Sequence, residues 1–132
     1  IFEHSNLNLF NNSSSEVIVF TKVKHENLPS HVTLITPKEF SIKEILSEIA
    51  KLGIQSIYVE GGPSIHDQFL ASGYWDEVIT YISPILLGGN NTSSFTSNRI
   101  TNEKVQLHDT KITKLGEDIR ISGRRVSQCL QD

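Results

Sequence analysis

The sequence predicts an α/β domain on a mixed sheet flanked by helices, with antiparallel strands at its C-terminal end. Three observations carry this expectation. Short Val- and Ile-rich runs alternate with helical patterns through residue 86. Two of those patterns, residues 41–52 and 63–72, are each followed by a glycine, Gly53 and Gly73. Beyond them, Val105, Leu107, Ile119 and Ile121 fall at alternating positions with no helical pattern.

Taken in order, residues 3–15 are polar apart from Leu7, Leu9 and Phe10, and read as an anchored surface connection. Val17-Ile18-Val19-Phe20 is a compact β run, apolar on both faces as parallel strands usually are. Val32-Thr33-Leu34-Ile35 is a second short strand, stopped by Pro37. Ser41 and Glu44 have the spacing of a capping box. Ile42, Ile45, Leu46, Ile49 and Leu52 then share one helical face, opposite Lys43, Glu44, Glu48 and Lys51. Ile57-Tyr58-Val59 reads as a buried strand, followed by Gly61-Gly62 and a helix bearing Ile65, Phe69 and Leu70. Residues 75–86, around Val78-Ile79-Thr80-Tyr81-Ile82, read as a long central strand that leads to Leu87-Gly88-Gly89. A polar loop over residues 90–101 precedes two strands, 104–115 and 118–124, joined around Gly116-Glu117.

Composition narrows the function classes. A chain of 132 residues supports one core. A net charge of −3 without a basic stripe argues against nucleic-acid binding. No apolar run is long enough to span a bilayer, and nothing resembles a signal peptide. The lone Cys129 fits a reducing, cytoplasmic setting. The absence of Met and a start at Ile1 in mid-pattern read as a fragment of a longer protein. The five histidines lack partners at metal-ligand spacing, so no metal is expected.

The chemistry concentrates in Val59-Glu60-Gly61-Gly62-Pro63-Ser64. Paired glycines admit a ligand to the backbone, and the first N–H groups of a helix lack internal partners. Pro63 suits the first helical position. Together they suit an anion, with a nucleotide phosphate the natural candidate. A Gly pair also serves plain turns, so both readings stand. Glu60 ends an apolar run, where a carboxylate must bond a turn, pair with a cation or face a ligand.

The order of Val59-Glu60-Gly61-Gly62-Pro63-Ser64, Phe69-Leu70, Trp75-Asp76-Glu77-Val78 and Tyr81-Ile82-Ser83-Pro84-Ile85-Leu86-Leu87-Gly88-Gly89 resembles one family. It is the C-terminal reductase domain of the bacterial bifunctional riboflavin-biosynthesis deaminase/reductase. Val17-Ile18-Val19-Phe20-Thr21 and the closing segment from Leu115 to Arg124 resemble it too, so the likeness spans essentially the whole chain. The resemblance implies a dihydrofolate-reductase-like fold. It implies NADPH-dependent reduction of 5-amino-6-(5-phosphoribosylamino)uracil to its ribitylamino form, the cofactor supplying the hydride. On this reading Gly61, Gly62, Pro63, Ser64 and Ile65 meet the NADPH pyrophosphate. Glu60 faces the substrate, and Thr21 and Lys22 lie near the adenosine and its 2′-phosphate. A homo-oligomer through the C-terminal strands is also implied.

The sequence departs from the family at its start. The opening strand with its Lys, Ser and Asp-Gly pattern, and the Arg-bearing helix after it, are not found, nor is a zinc deaminase motif. Residues 1–132 thus read as a partial reductase domain. Two alternatives remain: another dihydrofolate-reductase-like reductase of pterins or pyrimidines, and a non-catalytic oligomerisation or ligand-binding module.

Overall fold

The computed structural model describes residues 7–11, 14–86 and 104–126. The chain divides into two compact units, Ile1–Ser56 and Ile57–Asp132.

In the first unit a single helical turn, α1 (Asn8–Asn11), precedes strands β1 (Val17–Phe20) and β2 (Val32–Ile35). The strands run parallel, with Val17 opposite Val32 and Phe20 opposite Ile35. Phe10, Val17 and Val32 form the buried cluster, with Val19 and Leu28 packed against it. Phe10 is thus a core residue, not merely an anchor of a surface connection. Helix α2 (Ile42–Lys51) begins as its sequence dictates: Ser41 is extended at the N-cap, and its Oγ accepts from the Glu44 N–H at 3.2 Å. Ile42 is buried, and Ile45, Leu46 and Ile49 are half-buried on the same face. Gly53, at φ 78°, ends the helix, its N–H donating to the Ala50 carbonyl.

In the second unit helix α3 (Pro63–Ser72) has Pro63 in its first turn and is closed by Gly73 at φ 72°. An antiparallel sheet follows, built from β3 (Glu77–Ile82), β4 (His108–Leu115) and β5 (Asp118–Arg124) in the order β3-β5-β4. The β4–β5 hairpin turns at Gly116, whose φ of 63° meets the demand of a tight turn with a left-handed first residue. Ser83 donates to the Asp118 carboxylate at 2.8 Å, tying the end of β3 to the start of β5. The Arg125 guanidinium donates to the Gly73 carbonyl, and the Arg125 N–H to the Asp76 carbonyl, which joins the end of α3 to the end of β5.

The parallel ladder β1-β2 belongs to the first unit and the antiparallel sheet β3-β5-β4 to the second. Three expectations change. Residues 57–59 form no strand, and Tyr58 is 68% exposed. A strand exists only by pairing, and none of the described strands pairs with this segment. The strand in 75–86 is shorter than its apolar run and lies at a sheet edge, because β5 takes the centre. β5 has a partner on each side, through a tight turn to β4 and a long-range ladder to β3. Leu87-Gly88-Gly89, the loop over 90–101 and Cys129 lie outside the described residues.

Candidate functional site at the start of helix α3

Glu60, Gly61 and Gly62 approach α3 without regular structure. Gly62 caps the helix in an extended conformation, φ −78° and ψ 175°, with no side-chain cap. Its carbonyl accepts from the Ile65 N–H at 3.0 Å and the His66 N–H at 3.2 Å. Pro63 has no N–H to offer. The amides of Gly61, Gly62 and Ser64 find no backbone carbonyl among the described residues. Three donors thus sit together at the positive end of a helix dipole, beside exposed backbone.

The two glycines are not equivalent. The peptide bonds are trans, and neither residue has positive φ. A Cβ on Gly62 would meet nothing within 4 Å. A Cβ on Gly61 would lie 3.0 Å from the Ile65 Cβ and 3.1 Å from its Cγ2. Gly61 is therefore required by the close seating of Ile65, while Gly62 leaves the backbone open to an incoming group.

Glu60 is exposed, and no hydrogen bond or ion pair engages its carboxylate among the described residues. Ser64 is exposed, and its carbonyl accepts from the Gln68 amide at 3.3 Å. Ile65 is exposed on its outer side, and Pro63 is half-buried. The second unit thus holds Glu60, Gly61, Gly62, Pro63, Ser64 and Ile65 as one contiguous surface. Thr21 and Lys22 belong to the first unit. There they follow β1: the Thr21 N–H donates to the Ile35 carbonyl, and its hydroxyl accepts from the Val23 N–H at 3.1 Å. The Lys22 ammonium stands 5.4 Å from the centre of the Phe40 ring. Phe40 was not legible as a partner of Lys22, because nothing local fixes the fold-back after β2.

A second hollow, of about 560 Å³, is lined by Ser72, Gly73, Trp75, His108 and Arg125 among others. It lies at the opposite end of α3 from the glycine pair and shares no residue with it.

The sequence profile described as the RibD C-terminal domain matches residues 2–121. This chain belongs to the RibD C-terminal domain family. It is similar to the riboflavin biosynthesis protein RibD of Bacillus amyloliquefaciens, with 40% identity over 84 residues, covering 61% of this chain and 23% of that protein. The RibD of Aquifex aeolicus is 29% identical over 121 residues, which cover 89% of this chain and 34% of the relative. The chain therefore spans about a quarter to a third of the length of these RibD proteins.

Among solved structures, a diaminohydroxyphosphoribosylaminopyrimidine deaminase/5-amino-6-(5-phosphoribosylamino)uracil reductase from Thermotoga maritima superposes with a TM-score of 0.63 at 23% identity. That match covers 83% of this chain and 31% of the other. The RibD-type domain has the dihydrofolate-reductase-like α/β fold expected from its sequence. No helix among the described residues is long and apolar enough to cross a membrane.

Proposed function

We propose that this chain is the cofactor-bearing part of a riboflavin-pathway reductase domain. The reaction is reduction of the ribosyl group of 5-amino-6-(5-phosphoribosylamino)uracil to a ribityl chain, with NADPH supplying the hydride. The observation that carries the reading is the start of α3, where open Gly61, Gly62 and Ser64 amides meet a helix N-terminus in a member of the RibD C-terminal domain family.

The residues present fit a dinucleotide's pyrophosphate. Gly61, Gly62 and Ser64 donate backbone N–H groups, Pro63 and Ile65 fix the first turn, and the Ser64 hydroxyl adds a donor. Glu60 would clash electrostatically with phosphates, so its carboxylate serves the substrate side by accepting from ribose hydroxyls or a pyrimidine amine. Thr21 and Lys22 serve the adenosine end, with the Lys22 ammonium the cation for the 2′-phosphate. Ile82, Ile112 and Ile119 share one exposed face of the second sheet by register, which favours burial against a second copy. The working compartment on this reading is the cytoplasm.

The test is equilibrium titration with NADPH. Micromolar binding by the wild-type chain, weakened by Gly62→Val with the far-UV dichroism retained, is the expected result. Unchanged affinity in that variant rejects the pyrophosphate assignment. No binding by a folded wild-type chain rejects the cofactor-bearing role.

A further inference from the structure

The Ser122 face of the antiparallel sheet holds a set of unpaired charges. Alternation puts Ser122 and Arg124 on the same face of β5. The register places Ile79 and Lys111 opposite Ser122, and Glu77 and His108 opposite Arg124. An irregularity in β4 between His108 and Lys111 brings in Asp109, whose backbone is left-handed at φ 50°. Glu77, Asp109, Lys111, Ser122 and Arg124 line one hollow of about 290 Å³. Ser122 is only 3% exposed and lines the hollow. No ion pair joins the four charged side chains, although Glu77 and Arg124 are direct cross-strand neighbours.

Opposite charges on paired strands ordinarily meet. Here that pairing is left open around one space that Ser122 also lines. A guanidinium, an ammonium and a hydroxyl suit a carboxylate or phosphate. Carboxylates accept only, and so suit an ammonium. The set carries no net charge, so a simple anion or cation gains from one half and loses to the other.

We propose that this hollow binds a small zwitterion, its oxyanion held by Arg124, Lys111 and the Ser122 hydroxyl and its ammonium by Glu77 and Asp109. Its volume of about 290 Å³ suits a ligand of the size of an amino acid or an aminoalkyl phosphate. The hollow shares no residue with Glu60–Ile65, so its success or failure is independent of the reductase reading.

Calorimetric titration of the full chain with O-phosphoethanolamine and with β-alanine tests the proposal, with inorganic phosphate and ethanolamine as controls that carry charge of one sign only. At least one zwitterion should bind about tenfold more tightly than either control, equivalent to about 1.4 kcal/mol. The preferred probe then tells a phosphate ligand from a carboxylate one. Arg124→Gln should weaken binding about tenfold and Ser122→Ala several-fold, with NADPH affinity unchanged. If Arg124→Gln does not fold, Glu77→Gln on the rim should abolish the preference for phosphoethanolamine over phosphate. Absence of binding by both zwitterions, equal binding of a control, or wild-type affinity in the folded variants overturns the proposal.

Discussion

At the residue scale, Gly61 and Gly62 stand side by side for different reasons. Gly61→Ala drives a methyl into the Ile65 side chain at 3.0 Å. The contact is with a β-branched carbon close to the helix backbone, so relief requires the first turn of α3 to move. Urea unfolding should register a loss of about 1–3 kcal/mol, the usual cost of overpacking. Gly62→Ala meets open space at an ordinary φ. Its stability change should stay within about 1 kcal/mol, since reduced chain entropy offsets a poorer N-cap. Glu60 makes the companion case. Glu60→Gln keeps shape and removes charge, and a charged hydrogen bond is worth about 1.5–3 kcal/mol. Steady-state assay of the full-length protein should find turnover reduced about tenfold with NADPH affinity nearly intact. Lost NADPH binding with unchanged substrate constants would reverse the role given to Glu60.

At the element scale, the caps carry specific energies. Ser41→Ala removes the acceptor for the Glu44 N–H and should cost about 1 kcal/mol by denaturant unfolding. Only this half of the capping box forms among the described residues. At the other end of α2, Lys51 bonds Glu48 at 2.6 Å, and this hydrogen bond raises the lysine pKa above its ordinary value. A raised folded-state pKa stabilises below the ordinary lysine range and is lost as pH climbs through the raised value. The contribution of Lys51 therefore does not vary near neutrality. Helix α2 was legible almost residue by residue, because its apolar period, its N-cap and Gly53 are all local signals. The β4–β5 hairpin was legible for the same reason, through Gly116. Strand pairing was not: apolar character says that Val78 and Ile57 favour strands, but which strand lies beside them is set by distant chain. Hence Ile57-Tyr58-Val59 was overread and β3 was moved from centre to edge. The glycine pair was legible as a motif. Its close contact with Ile65 required coordinates.

At the scale of the whole molecule, the described residues leave apolar side chains exposed on one sheet face. Ile112 is 72% exposed, and Ile82 and Ile119 lie on the same sheet face. A face of this kind on an antiparallel sheet ordinarily packs against something. Sedimentation at micromolar concentration should find a dimer or larger assembly. Ile112→Lys should shift it toward monomer with the far-UV dichroism preserved. A monomeric wild-type chain would reject association through the C-terminal strands.

The strand order β3-β5-β4 also dictates a sequence of events in time. The β4–β5 ladder closes across one tight turn, a process of about 1–10 μs in isolated hairpins. The β3–β5 ladder must bring together groups as far apart as Ser83 and Asp118, separated by 35 positions. Its loop-closure entropy is paid before any pairing repays it. The hairpin should therefore be formed when the barrier is crossed, with β3 docking afterwards. A left-handed residue in the hairpin turn then controls the rate of folding: Gly116→Ala, costing about 1–2 kcal/mol, should slow refolding. Val78→Ala should instead leave refolding nearly unchanged and accelerate unfolding. A chevron plot of each variant reads the two limbs separately, and slowed refolding in Val78→Ala alone would reverse the order.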